Sequence, residues 1–146
     1  MLAPRVVVVY RRTELDELTA RHGTRQQVEF FLRERGRTID EVEQRHRAQQ
    51  TALHAVATAV PLDWRRGTVE RADLARFAFS PEDIVVAVGQ DGLVANVAKY
   101  LDGQTVIGIN DAPERNPGVL VRHWAGELAE LLRSGAEPDD LTMVEA

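Results

Sequence analysis

Cysteine is absent from this 146-residue chain, so disulfides, thiolate zinc sites and cysteine nucleophiles are excluded. Lysine is nearly absent too, because Lys99 is the single lysine among 18 basic residues. The 23 acidic residues outnumber these bases and give a formal net charge of -5. Proteins that coat nucleic acids need a surplus of clustered cations, so we expect no nucleic-acid partner.

The chain also lacks a long hydrophobic run. Its first apolar stretch, residues 6–9, is bounded by Arg5 and by the pair Arg11 and Arg12, and no small-residue cleavage site follows it. We therefore predict neither a signal peptide nor a membrane span, and we expect a soluble, cytoplasmic protein. With 44% hydrophobic residues, the chain is long enough for one core of ordinary size.

Apolar runs predict buried strands at residues 5–10, 84–88 and 105–109. Runs that are continuous rather than alternating are typical of strands covered on both faces in a parallel sheet. Residues 62–64 are a weaker candidate for a second strand, and residues 68–79 fit a short helix or a loop equally well. A helix predicted at residues 93–101 joins the last two strands into a βαβ unit.

Three helices are predicted after the first strand. Thr13, Thr24 and Thr38 are the expected N-caps, and the last two fit the capping box because glutamine or glutamate follows three residues later. The third helix is the longest and should stop at Pro61. A further helix is predicted over residues 123–133.

The third helix carries His46 on the same face as its regularly spaced apolar residues. We interpret His46 as a half-buried histidine hydrogen-bonded within the core, and a metal or catalytic role is the less frequent alternative. His54 lies two turns further along the helix, too far away to share a metal ion with His46. We assign no metal site.

The turn at residues 89–92, between a buried strand and a helix, is the best candidate for a chemical site. Gly89 and Gly92 allow a ligand to approach the backbone closely, and free amides at the start of the helix suit phosphate. Asp91 is the one ionisable residue of this turn, and a carboxylate here can accept a proton from a hydroxyl or hold a phosphate-bound metal. Alternatively, Asp91 merely caps the helix, and spacing alone does not separate the two interpretations.

Three motifs resemble those of NAD kinases. Val88-Gly-Gln-Asp-Gly resembles their Gly-Gly-Asp-Gly signature, which diacylglycerol kinases and phosphofructokinases share in related form. Val106-Ile-Gly-Ile-Asn looks like the following NAD kinase strand, which ends in Gly-Xaa-Asn. The continuation Asn110-Asp-Ala-Pro-Glu-Arg is similar to the loop of mitochondrial-type NAD kinases. Together with their flanks, these motifs cover residues 82–118.

The resemblance implies a three-layer, Rossmann-like α/β domain with a parallel sheet, the N-terminal domain of the NAD kinase and diacylglycerol kinase superfamily. It implies phosphorylation of the 2'-hydroxyl of the adenosine ribose of NAD to give NADP. The phosphate donor would be ATP or polyphosphate, with Mg²⁺ as the divalent cation, and Asp91 would act as the base. By the same matching, the nucleotide-binding residues would be Gly89, Gln90, Gly92, Leu93, Asn110 and Asp111, together with Arg11 and Arg12 beyond the first strand.

Some residues depart from the family pattern or have a simpler explanation. Gln90 replaces the second glycine of the signature, and Leu93 replaces the usual threonine or serine. If the position of Gln90 requires a positive φ, a glutamine there costs about 1 kcal/mol or more. Arg11 and Arg12 are alternatively solvated loop arginines without a ligand.

The resemblance assigns residues 1–135 to the N-terminal domain, and residues 136–146 to a linker and the first strand of the β-rich second domain that NAD kinases carry. We therefore expect a fragment with little or no kinase activity alone. An unpaired apolar edge would favour a homo-oligomer. Two other functions remain open: a non-catalytic nucleotide-binding module, consistent with Gln90 and Leu93, and a lipid or sugar kinase of the same superfamily, which lacks the Pro-Glu-Arg loop.

Overall fold

The computed structural model describes residues 4–112, 118, 121, 123–134 and 142–143, and these form an α/β fold around one sheet. The strand order is β2-β1-β3-β4-β5, in which the first four strands are parallel and β5 pairs antiparallel with β4. The strands are β1 (Arg5–Tyr10), β2 (Arg65–Glu70), β3 (Ile84–Gly89), β4 (Thr105–Asn110) and β5 (Thr142–Met143).

Helices cover both faces of this sheet. They are α1 (Glu14–His22), α2 (Arg25–Arg33), α3 (Ile39–Ala59), α4 (Asp91–Ala98) and α5 (Leu128–Ser134), with 3₁₀ segments at Arg71–Arg76 and Ala125–Glu127. One apolar cluster joins β1 and β3 to α3 and α5, and a second joins them to α4 and the first 3₁₀ segment. No helix in the described ranges is long and apolar enough to cross a membrane.

The core strands follow directly from their composition. The four central residues of β1 and of β3 are buried, and valine predominates in both. Side chains alternate between the two faces of a strand, so Val7 and Val9 join one apolar cluster whereas Val6 and Val8 join the other. The predicted parallel α/β arrangement is therefore confirmed.

The second strand was predicted in the wrong place. It spans Arg65–Glu70 rather than residues 62–64, and it continues into the first 3₁₀ segment. Val69 is the one buried residue of β2. The other side chains of β2 are exposed or partly exposed because the strand lies at the edge of the sheet. An edge strand of this kind has no apolar run that would reveal it in the sequence.

Helix boundaries differ from the sequence predictions at two places. α4 begins at Asp91 and ends at Ala98, so the predicted span of residues 93–101 started and ended late. The segment before α5 is not helical at His123, because the backbone N–H of Asn110 donates to the His123 carbonyl and the His123 N–H donates to Gly108. These bonds extend the sheet and delay the start of the helix.

The three predicted N-cap positions are correct, but the capping box was predicted at the wrong helices. Thr13, Thr24 and Thr38 are all N-caps, but the reciprocal bonds of a capping box form at Thr13 with Asp16. Thr24 accepts one bond from a backbone N–H, and the Thr38 side chain makes no cap bond. Aspartate at the third helical position thus closes the box as glutamate does.

A buried ion pair anchors the amino end of the sheet. The Asp83 side chain is fully buried, and the Arg5 guanidinium donates to both of its carboxylate oxygens at 3.0 and 2.6 Å. Burial by itself raises the pKa of Asp83, but hydrogen bonds from Arg5 and from the Ser80 N–H outweigh it and lower the pKa. The pair joins β1 to the turn that precedes β3.

Candidate functional site

The predicted site residues come from loops at one edge of the sheet. Parallel strands end at the same edge, and ligands of open α/β sheets bind there. Arg11 and Arg12 follow β1, Gln90 follows β3, and Asp111 follows β4. Strand pairing places Gly89 beside Asn110, so the β3 and β4 loops are neighbours.

A cleft of about 760 Å³ opens at this edge, between the strand ends and the middle of α3. Seven of the nine predicted site residues line it: Arg11, Arg12, Gly89, Gln90, Gly92, Leu93 and Asp111. Asp91 and Asn110 do not line it. The predicted residues are therefore gathered in one place, although the predicted base lies beside the cleft.

Asp91 is the first residue of α4, one position beyond the N-cap Gln90. The interpretation of Asp91 as the N-cap is therefore wrong. Its side chain is half-buried, and Oδ1 accepts a hydrogen bond of 3.0 Å from the Val121 N–H. This bond orients the carboxylate beside the positive end of the helix dipole, which favours a negative charge.

Gln90 connects the two central loops of the cleft. Its Nε2 donates to Asn110 Oδ1 at 3.2 Å and to Asp111 Oδ1 at 2.7 Å. The backbone of Gln90 is extended, with φ -118° and ψ 173°. The position does not require a positive φ, so glutamine is accommodated there without the backbone strain that the resemblance to Gly-Gly-Asp-Gly suggested.

Asn110 is a buried residue whose hydrogen bonds hold the loop after β4. Its Oδ1 also accepts from the Ala112 N–H at 2.8 Å, and its own N–H donates to the His123 carbonyl. Asn110 therefore shapes the loop after β4. Residues 113–115, which hold the Pro-Glu-Arg part of the family resemblance, lie outside the described residues.

Leu93 and the two glycines differ in what surrounds them. Leu93 is buried in the apolar cluster under α4, so its side chain faces the core more than the ligand space. A Cβ on Gly89 would lie 3.2 Å from Leu93 Cδ2, so a side chain there would press against the leucine. A Cβ on Gly92 would meet no atom within 4 Å, so no packing contact explains this glycine.

The cleft is richer in positive charge than the chain as a whole. Four arginines line it, Arg11, Arg12, Arg45 and Arg71, against the acids Glu14, Glu17 and Asp111. Glu14 is already bound by both Arg37 Nη atoms at 2.7 and 2.6 Å, and the Arg37 bonds lower the pKa of Glu14. The cleft thus has an excess of positive charge in a protein of net charge -5.

Sequence reasoning missed Arg45, Gln49 and Arg71. The first two lie one turn apart on α3, and this i, i+4 spacing was the one available signal that they share a face. Gln49 is buried, and its Nε2 donates to the Arg11 carbonyl at 2.5 Å. Arg71 follows β2, and its position was invisible while that strand was misplaced.

His46 is the half-buried, hydrogen-bonded histidine that we expected. Its Nδ1 lies 2.8 Å from Thr13 Oγ1 and 3.6 Å from Asp16 Oδ1. These contacts join α3 to the capping box of α1. Within the described ranges, no three histidine or acidic side chains lie close enough together to hold a metal ion.

Two acidic side chains at the cleft, Asp111 and Glu17, are candidates to hold the divalent cation that the resemblance implies. Mg²⁺ at phosphotransfer sites is usually held by one or two carboxylates together with substrate phosphates, rather than by a complete protein cage. Asp111, at the cleft, fits this limited role, and the Gln90 bond to Oδ1 orients its carboxylate. Glu17, which is exposed on α1, is the second candidate.

Compared with models of protein families and with curated proteins, the chain gives no match. The function proposed below therefore depends on the geometry of the cleft and on the motif resemblance around Asp91 and Asn110.

Proposed function

We propose that this chain is the nucleotide-phosphate-handling domain of an NAD kinase-type phosphotransferase, which converts NAD into NADP. The observation that carries the proposal is the composition of the cleft. Gln90 and Asp111 form one side of it and arginines form the other, and all lie beside the carboxyl ends of parallel strands. This combination suits a ligand that has both hydroxyl groups and phosphates.

In the proposed reaction, the 2'-hydroxyl oxygen of the adenosine ribose forms a bond to the terminal phosphorus of the donor. The bond from that phosphorus to the bridging oxygen breaks, and the shortened donor leaves. Asp91, at the start of α4 beside the cleft, accepts the hydroxyl proton when the ribose lies over that helix end, and the Val121 N–H that binds its Oδ1 keeps the carboxylate oriented. The cleft arginines neutralise phosphate charge. Asp111 would hold Mg²⁺ together with the phosphates, and a cation bound there would supply charge neutralisation for phosphoryl transfer.

A non-catalytic nucleotide-binding module is the second candidate, and two observations favour it. The Gln90 side chain occupies the space between the β3 and β4 loops and bonds to Asp111. Leu93 is buried where the family supplies a hydroxyl group. Both features are compatible with binding and would slow turnover.

A joint binding and turnover experiment separates the two candidates. NAD and ATP binding would be measured by calorimetry on the chain itself, and NADP formation would be measured after the chain is joined to the β-rich domain of an NAD kinase. For a kinase, we expect Asp91→Asn to lower NADP formation by about 100-fold or more, the usual range for a general base, and to change NAD affinity little. Asp102→Asn, near the other end of α4, is the matched control and should leave both unchanged.

The outcomes assign the function directly. Nucleotide binding without NADP formation in any form supports the binding module. Full activity in Asp91→Asn contradicts the assigned base, and absence of nucleotide binding in the chain and in the joined protein contradicts both candidates.

A further inference from the structure

The cleft is divided into two halves of different chemistry. Gln90 and Asp111 lie at the ends of β3 and β4, whereas the four arginines lie around the ends of β1 and β2 and on α3. The strand order β2-β1-β3-β4 keeps these halves side by side. A ligand that spans the cleft would meet amide and carboxylate groups on one side and guanidinium groups on the other.

The arginines converge although they are distant in sequence. Tyr10 pairs with Glu70 where β1 and β2 end, and neighbouring strands lie about 5 Å apart. Arg11 and Arg71 therefore leave adjacent strand ends. Arg45 reaches the same space from α3.

The charges of these arginines are largely available to a ligand. Arg11, Arg12 and Arg71 form no ion pair with any residue that the structure describes. Arg45 lies 4.0 Å from Glu14, which is already held by the bidentate Arg37 pair. Several cations facing one cleft repel one another, and an anion between them would relieve this repulsion.

The backbone that carries Arg11 and Arg12 is held in place from within the protein. Gln49 is buried, with 5% of its surface exposed, and its Nε2 binds the Arg11 carbonyl. On the other side of the loop, Thr13 caps α1 and is bonded to His46. The loop is thus ordered before any ligand arrives, which reduces the entropic cost of binding.

We propose that Arg11, Arg12, Arg45 and Arg71 form a subsite for a chain of linked phosphates, such as a nucleoside triphosphate tail or inorganic polyphosphate. This inference rests on the proposed function and adds where the phosphate donor binds: in the half of the cleft beside β1, β2 and α3, facing Gln90 and Asp111 across the cleft. Guanidinium groups pair with phosphate oxygens through two parallel hydrogen bonds. Four of them, contributed by three elements, match several phosphates better than a single one.

Calorimetry on the full chain with inorganic tripolyphosphate, ATP and AMP tests the subsite. We expect tripolyphosphate and ATP to bind, and AMP to bind at least ~10-fold more weakly, because each lost charge-assisted contact is worth about tenfold in affinity. Arg45→Gln and Arg71→Gln should each weaken tripolyphosphate binding by about tenfold.

The controls are arginines near the same elements that do not line the cleft. The control variants are Arg47→Gln and Arg76→Gln. Arg47 lies on α3 two residues after Arg45, and Arg76 lies at the far end of the 3₁₀ segment that begins with Arg71. Both should bind tripolyphosphate as the unchanged protein does. Urea unfolding would verify that all four variants keep their stability.

Several results would overturn the subsite. These are absence of tripolyphosphate binding, equal binding of AMP and ATP, or unchanged tripolyphosphate affinity in Arg45→Gln and Arg71→Gln. Two measurements separate this inference from the proposed function: tripolyphosphate binding by the chain itself, and NADP formation by the joined protein. If the joined protein makes no NADP while the arginine variants still lose tripolyphosphate, the subsite stands and the kinase assignment fails.

Discussion

Replacement of Gln90 by glutamate probes the geometry of the cleft with almost no change of shape. The Gln90 Nε2 atom that donates to Asp111 at 2.7 Å would become a carboxylate oxygen beside another carboxylate. The hydrogen bond to Asn110 Oδ1 would also be lost. We therefore expect Gln90→Glu to destabilise the folded protein at neutral pH.

The magnitude follows from the distance between the two groups. Two unit charges about 4 Å apart repel by roughly 1–4 kcal/mol for effective dielectric constants between that of water and about 20. Loss of the hydrogen bonds to Asn110 and Asp111 adds about 1 kcal/mol. Because both side chains are half-buried, we expect the free energy of unfolding to fall by about 2–3 kcal/mol at pH 7.

The pH dependence has a definite sign. The repulsion between the two carboxyls acts only while both carry a charge. The destabilisation is therefore largest at neutral pH and decreases as the pH falls, because one proton restores an O–H to carboxylate bond. We expect the deficit to shrink to about 1 kcal/mol near pH 4.5.

Urea unfolding followed by circular dichroism at the two pH values measures both effects. Gln26→Glu, an exposed change of the same chemistry on α2, is the control and should alter stability by less than about 0.5 kcal/mol. The reasoning is refuted if Gln90→Glu is as stable as the control at pH 7, or if its deficit is the same at both pH values.

Three further predictions concern the scaffold and use urea unfolding as the measurement. Arg5→Met should cost about 2–3 kcal/mol, because it leaves the Asp83 carboxylate buried without its cation. The folded-state pKa of Asp83 is lowered, so the stability from this ion pair is present above about pH 4 and is lost as the pH falls further. A stability deficit of Arg5→Met that stays constant across this pH range would contradict the stabilising role of the ion pair. Thr13→Ala should cost about 1 kcal/mol and Thr38→Ala less than half of that, because Thr13 makes a side-chain cap bond and Thr38 makes none. Equal costs would contradict this. Leu128→Ala should cost about 2–5 kcal/mol because the side chain is fully buried, and a cost under 1 kcal/mol would show that α5 does not pack as described.

The sequence was sufficient for the parts of the site that are contiguous along the chain. The buried runs before Gly89 and Asn110 predicted parallel strands, and parallel strands end at one edge. The turn around Asp91 could therefore be assigned to that edge from the sequence alone. Local pattern and a general rule about sheets were enough.

The rest of the site depends on distances between residues that are far apart in sequence. Whether Arg45 and Arg71 face Arg11 depends on the place of β2 in the sheet and on the path of α3, and neither is encoded in a short pattern. The contacts of Gln90 likewise depend on side-chain direction and on the register between β3 and β4. The sequence suggested backbone strain at Gln90, whereas in the structure its side chain joins the loops after β3 and β4 through hydrogen bonds.

The amino-acid order by itself determined that this chain forms buried parallel strands with helices between them. Runs of valine and isoleucine place apolar side chains on both faces of a sheet, and both faces must then be covered to exclude water. It also determined where a close backbone approach is possible, at Gly89 and Gly92. Only the tertiary structure decided which charges share the cleft. That selection arises from packing, which brings together side chains separated by dozens of residues and leaves some arginines paired and others, such as Arg11 and Arg71, facing the cleft.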